Sequence, residues 1–252
     1  MSNYTTPVLL SAKDLVVEYG EQKVLQAASL SIHDGDRIGL VGKNGAGKST
    51  FLRIISGLME PDSGEIAQRN GLVVSFLSQE FTLDEEKTVK DNIMSGAGYI
   101  KELLDQYESL DPSSEERHIL EEKIAHVDGW NLDRRLTLLT TSLDAPDGDR
   151  IVATLSGGEK RRTALCRTLI AQPDLLILDE PTNHLDTNTI EWMEKFLASW
   201  RGACIFVTHD RYFLDRIANR IVELAHGTFF SHQGSYTDYL LNKAERDSLR
   251  EA

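Results

Sequence analysis

The sequence has little of what staples a protein covalently or anchors it in a bilayer. Its 252 residues include only two cysteines, Cys166 and Cys204, without metal-ligand or redox spacing. A disulfide framework and a cysteine-based metal site are therefore excluded. Both fall in segments that read as helix and buried strand, as free thiols packed in a core within a reducing compartment. No run approaches the ~18 apolar residues of a membrane span. Met1 to Pro7 holds no basic stretch followed by an apolar one, so neither a transmembrane segment nor a secretory leader is expected. Positive charge is also short: 27 Lys and Arg against 40 Asp and Glu give a formal net charge of −13. The chain as a whole is no electrostatic match for nucleic acid, and any such contact must be local. The clearest basic cluster, Lys160, Arg161, Arg162 and Arg167, reads more readily as a solvated helix face than as an RNA contact. A cytoplasmic location is expected.

Glycine is placed with purpose in Gly42-Lys43-Asn44-Gly45-Ala46-Gly47-Lys48-Ser49. A triphosphate offers many acceptor oxygens, and backbone N–H groups can approach them only where no Cβ intervenes. Gly42, Gly45 and Gly47 meet that condition. Lys48 supplies a charge for the β- and γ-phosphates and Ser49 a hydroxyl for Mg²⁺. The apolar run Arg37 to Val41 suits a buried strand before the loop, and Ser49 to Ile55 the helix after it, whose N-terminus favours anions.

Strand-like alternation in Leu9–Tyr19 and Val24–Ile32 predicts an antiparallel β annex ahead of this loop, and Leu72–Leu77 a further strand. Beyond Gln79 the character changes. Ile93, Ala97, Ile100, Leu104 and Tyr107 fall on one face of a helix, and Ser113 with Glu116 gives a capping box for a second helix carrying Leu120, Ile124 and Val127. Two antiparallel helices joined at Asp111–Ser114 are expected. After Leu155 the alternation resumes with a helix from Gly158 to about Ala171, a strand Leu175–Leu178, a helix near Ile190–Trp200 and a strand Ala203–Val207. The pattern is an α/β core interrupted by a helical insertion.

Two of these strands deliver polar residues at their carboxyl ends, where open α/β sheets bind ligands. Asp179 suits Mg²⁺ through water, and Glu180 suits proton acceptance from, or orientation of, a water attacking the γ-phosphate. His209, past the second strand, could hydrogen-bond the γ-phosphate, although a lone histidine is more often structural. Gln79 could serve Mg²⁺ or the attacking water. Tyr19 either presents its ring to adenine or is a core aromatic of its strand.

Taken together these residues resemble the nucleotide-binding domain of ABC ATPases, over almost the whole chain. The matching segments are Tyr19 as the aromatic before the loop, Walker A from Gly42 to Thr50 with Asn44 and Ala46, and Gln79 as the Q-loop. Leu155-Ser156-Gly157-Gly158-Glu159 matches the signature, Asp179-Glu180 Walker B, Asp186 the D-loop and His209 the switch histidine. The resemblance implies a P-loop α/β fold with an antiparallel β subdomain and a helical subdomain, ATP and Mg²⁺ as cofactors, and ATP hydrolysis. It also implies that two cassettes pair head to tail, so that Ser156, Gly157 and Gly158 close over a partner's nucleotide, the partner being a second cassette of a longer chain or a second copy.

Glu180-Pro181-Thr182-Asn183-His184-Leu185-Asp186 and Thr208-His209-Asp210-Arg211-Tyr212-Phe213-Leu214-Asp215 are similar to the runs of the ABC-F proteins, as is the tail from Gly234 to Tyr239. That likeness implies a partner in the ribosome, its rRNA or bound tRNA. The insertion after Gln79 matches the place of the ABC-F arm, in the short form of the Uup type. The expected organisation is a cassette over 1–240, with an arm-bearing helical subdomain at about 80–170, and a charged helical linker starting at 241–252. A fragment holding a first cassette is expected over a natural half-size protein. The alternative function is the motor subunit of a membrane transporter.

Overall fold

The computed structural model describes residues 6–20, 22–183 and 185–251. It divides into two compact units, one of Met1–Gln79, Pro173–Asn183 and Met193–Ala252, the other of Glu80–Gln172 and His184–Trp192. Among the described residues no helix is long and apolar enough to cross a membrane. His184, half of the Asn183-His184 pair, lies outside the described residues.

The first unit contains both sheets. Strands β1 (Val8–Tyr19), β2 (Gln22–His33) and β4 (Ser63–Gln68) form an antiparallel sheet in the order β2-β1-β4. Register shifts interrupt the β1–β2 ladder, and Asp14 and Ala27 beside them take left-handed φ of 50° and 52°. The second sheet runs β5 (Val74–Leu77), β6 (Leu175–Asp179), β7 (Ala203–Val207), β3 (Arg37–Val41), β8 (Arg220–Ala225) and β9 (Thr228–Gln233). The first five are parallel and β9 closes the edge antiparallel. Every residue of β6 and β7 is buried, as a parallel sheet covered on both faces requires. Leu40, Phe51, Ile177 and Ile205 belong to one apolar core with Leu10, Leu15 and Leu25 of the antiparallel sheet. Because β6, β7 and β3 are neighbours, Asp179, Thr208 and Gly42 emerge side by side at their carboxyl ends.

In the second unit the single helix face expected through Ile93 to Tyr107 is two helices, α2 (Val89–Ser95) and α3 (Gly98–Ser109). The chain departs from helical dihedrals at Ala97, and packing dictates the glycine before it: a Cβ on Gly96 would sit 1.9 Å from the carbonyl oxygen of Arg167. Helix α4 (Glu115–His126) is capped by Ser114, not Ser113; the amide and hydroxyl of Ser113 donate instead to Asp111 Oδ1, at 2.9 and 2.6 Å. Leu103, Leu120 and Ile124 form the small core of the α3–α4 pair. Helix α5 (Leu132–Ser142) was not expected, because a core-facing position holds Arg135. Its guanidinium donates to the carbonyls of Ile170 and Asp128, both at 2.7 Å, and is 7% exposed.

The basic cluster on α6 (Gly157–Leu169) is not a solvated face. Lys160 pairs with Glu85 at 2.7 Å, Arg162 Nε donates to Asp144 O, Arg167 donates to Thr82 O, and Arg161 is buried over the ring of Phe81. These cations are spent inside the unit, holding the segment that follows Gln79.

Candidate functional site

Two glycines of the 42–49 loop are dictated by contact. Gly42 turns the chain out of β3 at φ 154°, and a Cβ there would lie 2.5 Å from Leu224 O. Gly47, at φ 103°, caps helix α1 (Lys48–Ile55), and its Cβ would meet Val24 Cγ1 at 2.3 Å. No side chain caps α1, so its first N–H groups are left to a ligand. Lys48 Nζ donates to the carbonyls of Gly42 and Lys43 at 2.8 and 3.1 Å. Partial burial lowers its pKa, and Glu180 and Asp179 oppose that shift. Phosphate oxygens would replace these weak acceptors with charged ones.

A cleft of about 530 Å³ opens over this loop, lined by Tyr19, Gln22, Val24, Asn44, Gly45, Gly47, Lys48, Ser49, Thr50, Gln79, Asp179, Glu180, Asn183, Val207 and His209. Eleven of these are residues anticipated from sequence. Gly42 and Ala46, on the other side of the loop, face an adjoining cavity of about 720 Å³. Tyr19 is 55% exposed, which removes the core-aromatic alternative; its hydroxyl meets Met59 Sδ at 3.6 Å. Gln22, its partner across the β1–β2 turn, reaches the cleft beside it.

Asp179 and Glu180 are 4% and 5% exposed. Glu180 takes a left-handed φ of 51°, its N–H donates to Val207 O at 2.8 Å, and its carbonyl accepts from Asn183 N at 3.3 Å. That local turn aims the side chain into the cleft, where Oε1 lies 3.4 Å from His209 Nε2. Burial pushes the Glu180 carboxyl above its ordinary 4.5; His209 and Lys48 pull it down and Asp179 pushes it further up. A desolvated carboxylate of raised basicity beside a histidine can accept a proton from water. Sequence reasoning missed the hydroxyls beneath this pair. Thr182 and Thr208, buried and 3.3 Å apart, bridge the loops after β6 and β7, and Thr208 Oγ1 accepts from Asp210 N. A threonine just beyond each buried strand was the signal. Asp210 in turn caps helix α8 (Arg211–Ile217), fixing the chain on the far side of His209.

Ser49, Gln79 and Asp179 offer oxygen donors to a hard cation such as Mg²⁺. Among the described residues no group of three or more His, Cys, Asp or Glu forms a metal site. The donors present suit an ion shared with phosphate oxygens.

Ser156, Gly157, Gly158 and Asp186 belong to the other compact unit. Ser156 and Glu159 form a reciprocal capping box on α6, with Glu159 also bound by Arg150; hydrogen bonds from the Ser156 backbone and from Arg150 hold its carboxyl at about 2. The Asp186 carboxylate accepts from the amide and hydroxyl of Thr189 at 3.0 and 2.7 Å, in the first turn of helix α7 (Thr187–Ser199).

The family description "ABC transporter" matches residues 25–183, from β2 through the 42–49 loop and the helical unit to Asp179, Glu180 and the turn after them. The chain belongs to the ABC transporter family. It is an ABC ATPase domain, and the expected α/β cassette fold with its antiparallel β and helical parts is the one observed. The cassette is 45% identical over 237 residues to the energy-dependent translational throttle protein EttA of Mycobacterium tuberculosis, covering 90% of this chain and 42% of that protein. It is 40% identical over 253 residues to an uncharacterized ABC transporter ATP-binding protein, YfmR, of Bacillus subtilis, covering 96% and 40%. The chain thus spans about two fifths of the length of these relatives. Among solved structures, the ATP-binding subunit of an ABC transporter superposes with TM-score 0.74 at 24% identity, over 94% of this chain and 93% of that one. A dimeric ATP-binding cassette bound to ADP and phosphate gives 0.66 at 23%, over 89% and 98%. At those identities the structural likeness carries the fold alone.

Proposed function

We propose that this cassette is the nucleotide switch of an ABC-F protein, acting in the cytoplasm to make ribosome binding depend on ATP. The observation that carries this is the 45% identity to a translational throttle protein across 90% of the chain. The Glu180–Asp186 and Thr208–Asp215 runs support the same reading. In this account Tyr19 stacks on adenine and the loop from Gly42 to Thr50 enfolds the phosphates, with Lys48 neutralising their charge. Ser49, Asp179 and Gln79 would hold Mg²⁺, which would supply charge neutralisation at the phosphates. Glu180 orients and deprotonates the attacking water, while His209 donates to the γ-phosphate and holds the glutamate in place.

A second cassette, from a longer chain or a second copy, adds its own Ser156–Gly158 loop and the Asp186 segment to this half-site. Residues 1–240 make up the cassette, the helical part at about 80–170 carries a short Uup-like arm, and 241–252 begin the linker. Helix α9 (Tyr236–Glu251) already runs through that last stretch. The reading as a transporter motor keeps every catalytic role and draws on the family description, the name of the Bacillus subtilis relative and neighbours that share the fold. Co-sedimentation with ribosomes separates the two. The Glu180→Gln chain should pellet with ribosomes under ATP and Mg²⁺ and stay in the supernatant without nucleotide, and Lys48→Ala should not pellet in either case. Equal pelleting of both variants, or none with ATP, would overturn the translation role.

A further inference from the structure

The 720 Å³ cavity beside the phosphate loop shares Lys48, Val207 and His209 with the nucleotide cleft, but its other walls are not part of that cleft. One wall is the outer side of the loop, Gly42, Lys43 and Ala46; the opposite wall is α9, through Tyr236, Tyr239 and Lys243. Between them runs the end of β8. Glu223, whose side chain is 7% exposed, pairs in register with Val41, the last residue before the loop. The next carbonyl, Leu224 O, is the atom that leaves no room for a side chain at Gly42. Lys243 Nζ lies 2.6 Å from Glu223 Oε1 and 3.1 Å from the Tyr239 hydroxyl. Tyr239 is fixed by ring contacts with His232 and Tyr236. Hydrogen bonding to Glu223 holds the Lys243 ammonium above the usual lysine range, as a committed ion pair would.

We propose that Lys243 is a positioning residue for the phosphate loop: by holding Glu223 it fixes the end of β8 against Gly42 and thereby couples docking of α9 to nucleotide binding. The loop borders this cavity and is not packed against α9 side chain to side chain, so it can shift as it closes on phosphate. The element across that cavity is α9, and the Glu223–Lys243 pair is a polar tie between it and the strand beneath the loop. Removing Lys243 leaves a buried carboxylate without this counter-charge two residues from Ala225 and one from the carbonyl that abuts Gly42. Coupling is reciprocal, so nucleotide must stabilise the docked helix as much as docking strengthens nucleotide binding. The same helix continues into the residues proposed as the linker root, which gives the cassette a route by which ATP occupancy reaches whatever follows.

The coupling presupposes that the 42–50 loop binds nucleotide, and titrating the wild-type chain with a fluorescent ATP analogue and Mg²⁺ tests that separately. Absent wild-type binding would sink the loop assignment and the coupling with it. Given binding, Lys243→Met should weaken affinity by at least about fivefold, the low end of usual coupling between sites, with a smaller change in turnover at saturation. Lys243→Arg should restore most of it. Tyr239→Phe, which removes only a hydroxyl, should shift affinity less in the same direction and keeps the test open if Lys243→Met unfolds. Hydrogen exchange over 236–244 should slow when MgATP is added to the wild-type chain. Affinity within about twofold of wild type in a folded Lys243→Met, or exchange in α9 indifferent to nucleotide, would overturn the proposal.

Discussion

Glu180→Gln isolates the chemistry from the binding. The side chain is 5% exposed, its Oε1 is 3.4 Å from His209 Nε2, and its direction is set by backbone bonds that an amide leaves intact. The exchange is isosteric and removes only the charge that accepts a proton. Losing a general base slows reaction by about 10²–10⁴, or roughly 3 to 5 kcal/mol in the barrier. Folding should not suffer. A carboxyl whose folded pKa lies above its unfolded value contributes stability that is present at low pH and lost as pH rises from 4.5 through the folded value. At neutral pH the neutral amide should therefore be at least as stable as the wild type. Phosphate release under single-turnover conditions, alongside titration with MgATP, gives both numbers in a paired cassette that is active to begin with. The variant should bind ATP as tightly as the wild type and hydrolyse it about a hundredfold or more slowly. In the wild type, the acid limb of the rate should lie above 4.5 because Glu180 must be ionised to act. Turnover close to wild type, or ATP affinity lost in step with turnover, would refute the assigned role.

Lys48→Ala removes the charge that the phosphates would attract, and MgATP affinity should fall by about tenfold or more; unchanged affinity would contradict the loop assignment. Gly96→Ala would put a methyl group 1.9 Å from Arg167 O, so the α2–α6 contact must open. Denaturant titration should show a loss of about 2 to 3 kcal/mol, and a neutral effect would mean that the close approach is not real. Cys166 and Cys204 are fully buried, with burial pushing both thiols up to about 12. Neither should react with a thiol reagent in the native chain and both should react after unfolding; rapid native labelling would contradict the core.

The central sheet was legible because β6 and β7 are short apolar runs ending in polar residues, and burial on both faces leaves no other pattern. The phosphate loop was legible because its glycines are required one by one. Elements with polar residues in buried positions escaped notice. β8 places Arg220 and Glu223 among its buried residues, each answered by a partner distant in sequence, Asp36 and Lys243. α5 hides behind Arg135, and β4, exposed except for a half-buried Ile66, has no periodicity to read. The basic cluster of α6 misled for a related reason. A run of cations looks solvated until the carbonyls and carboxylates that receive them are known, and Thr82, Glu85 and Asp144 lie too far away in sequence to suggest it. Within the cleft, Gln22, Asn183 and the Thr182–Thr208 bridge came only from the fold.

Sedimentation velocity of the Glu180→Gln chain in MgATP and in MgADP most directly tests whether this is a nucleotide-driven clamp. In the proposed account, the half-site of Lys48, Glu180 and His209 is completed by a second molecule's Ser156–Gly158 loop. The chain should therefore sediment at twice the monomer mass in MgATP and as a monomer in MgADP. A monomer in MgATP at concentrations that saturate the cleft would contradict the account.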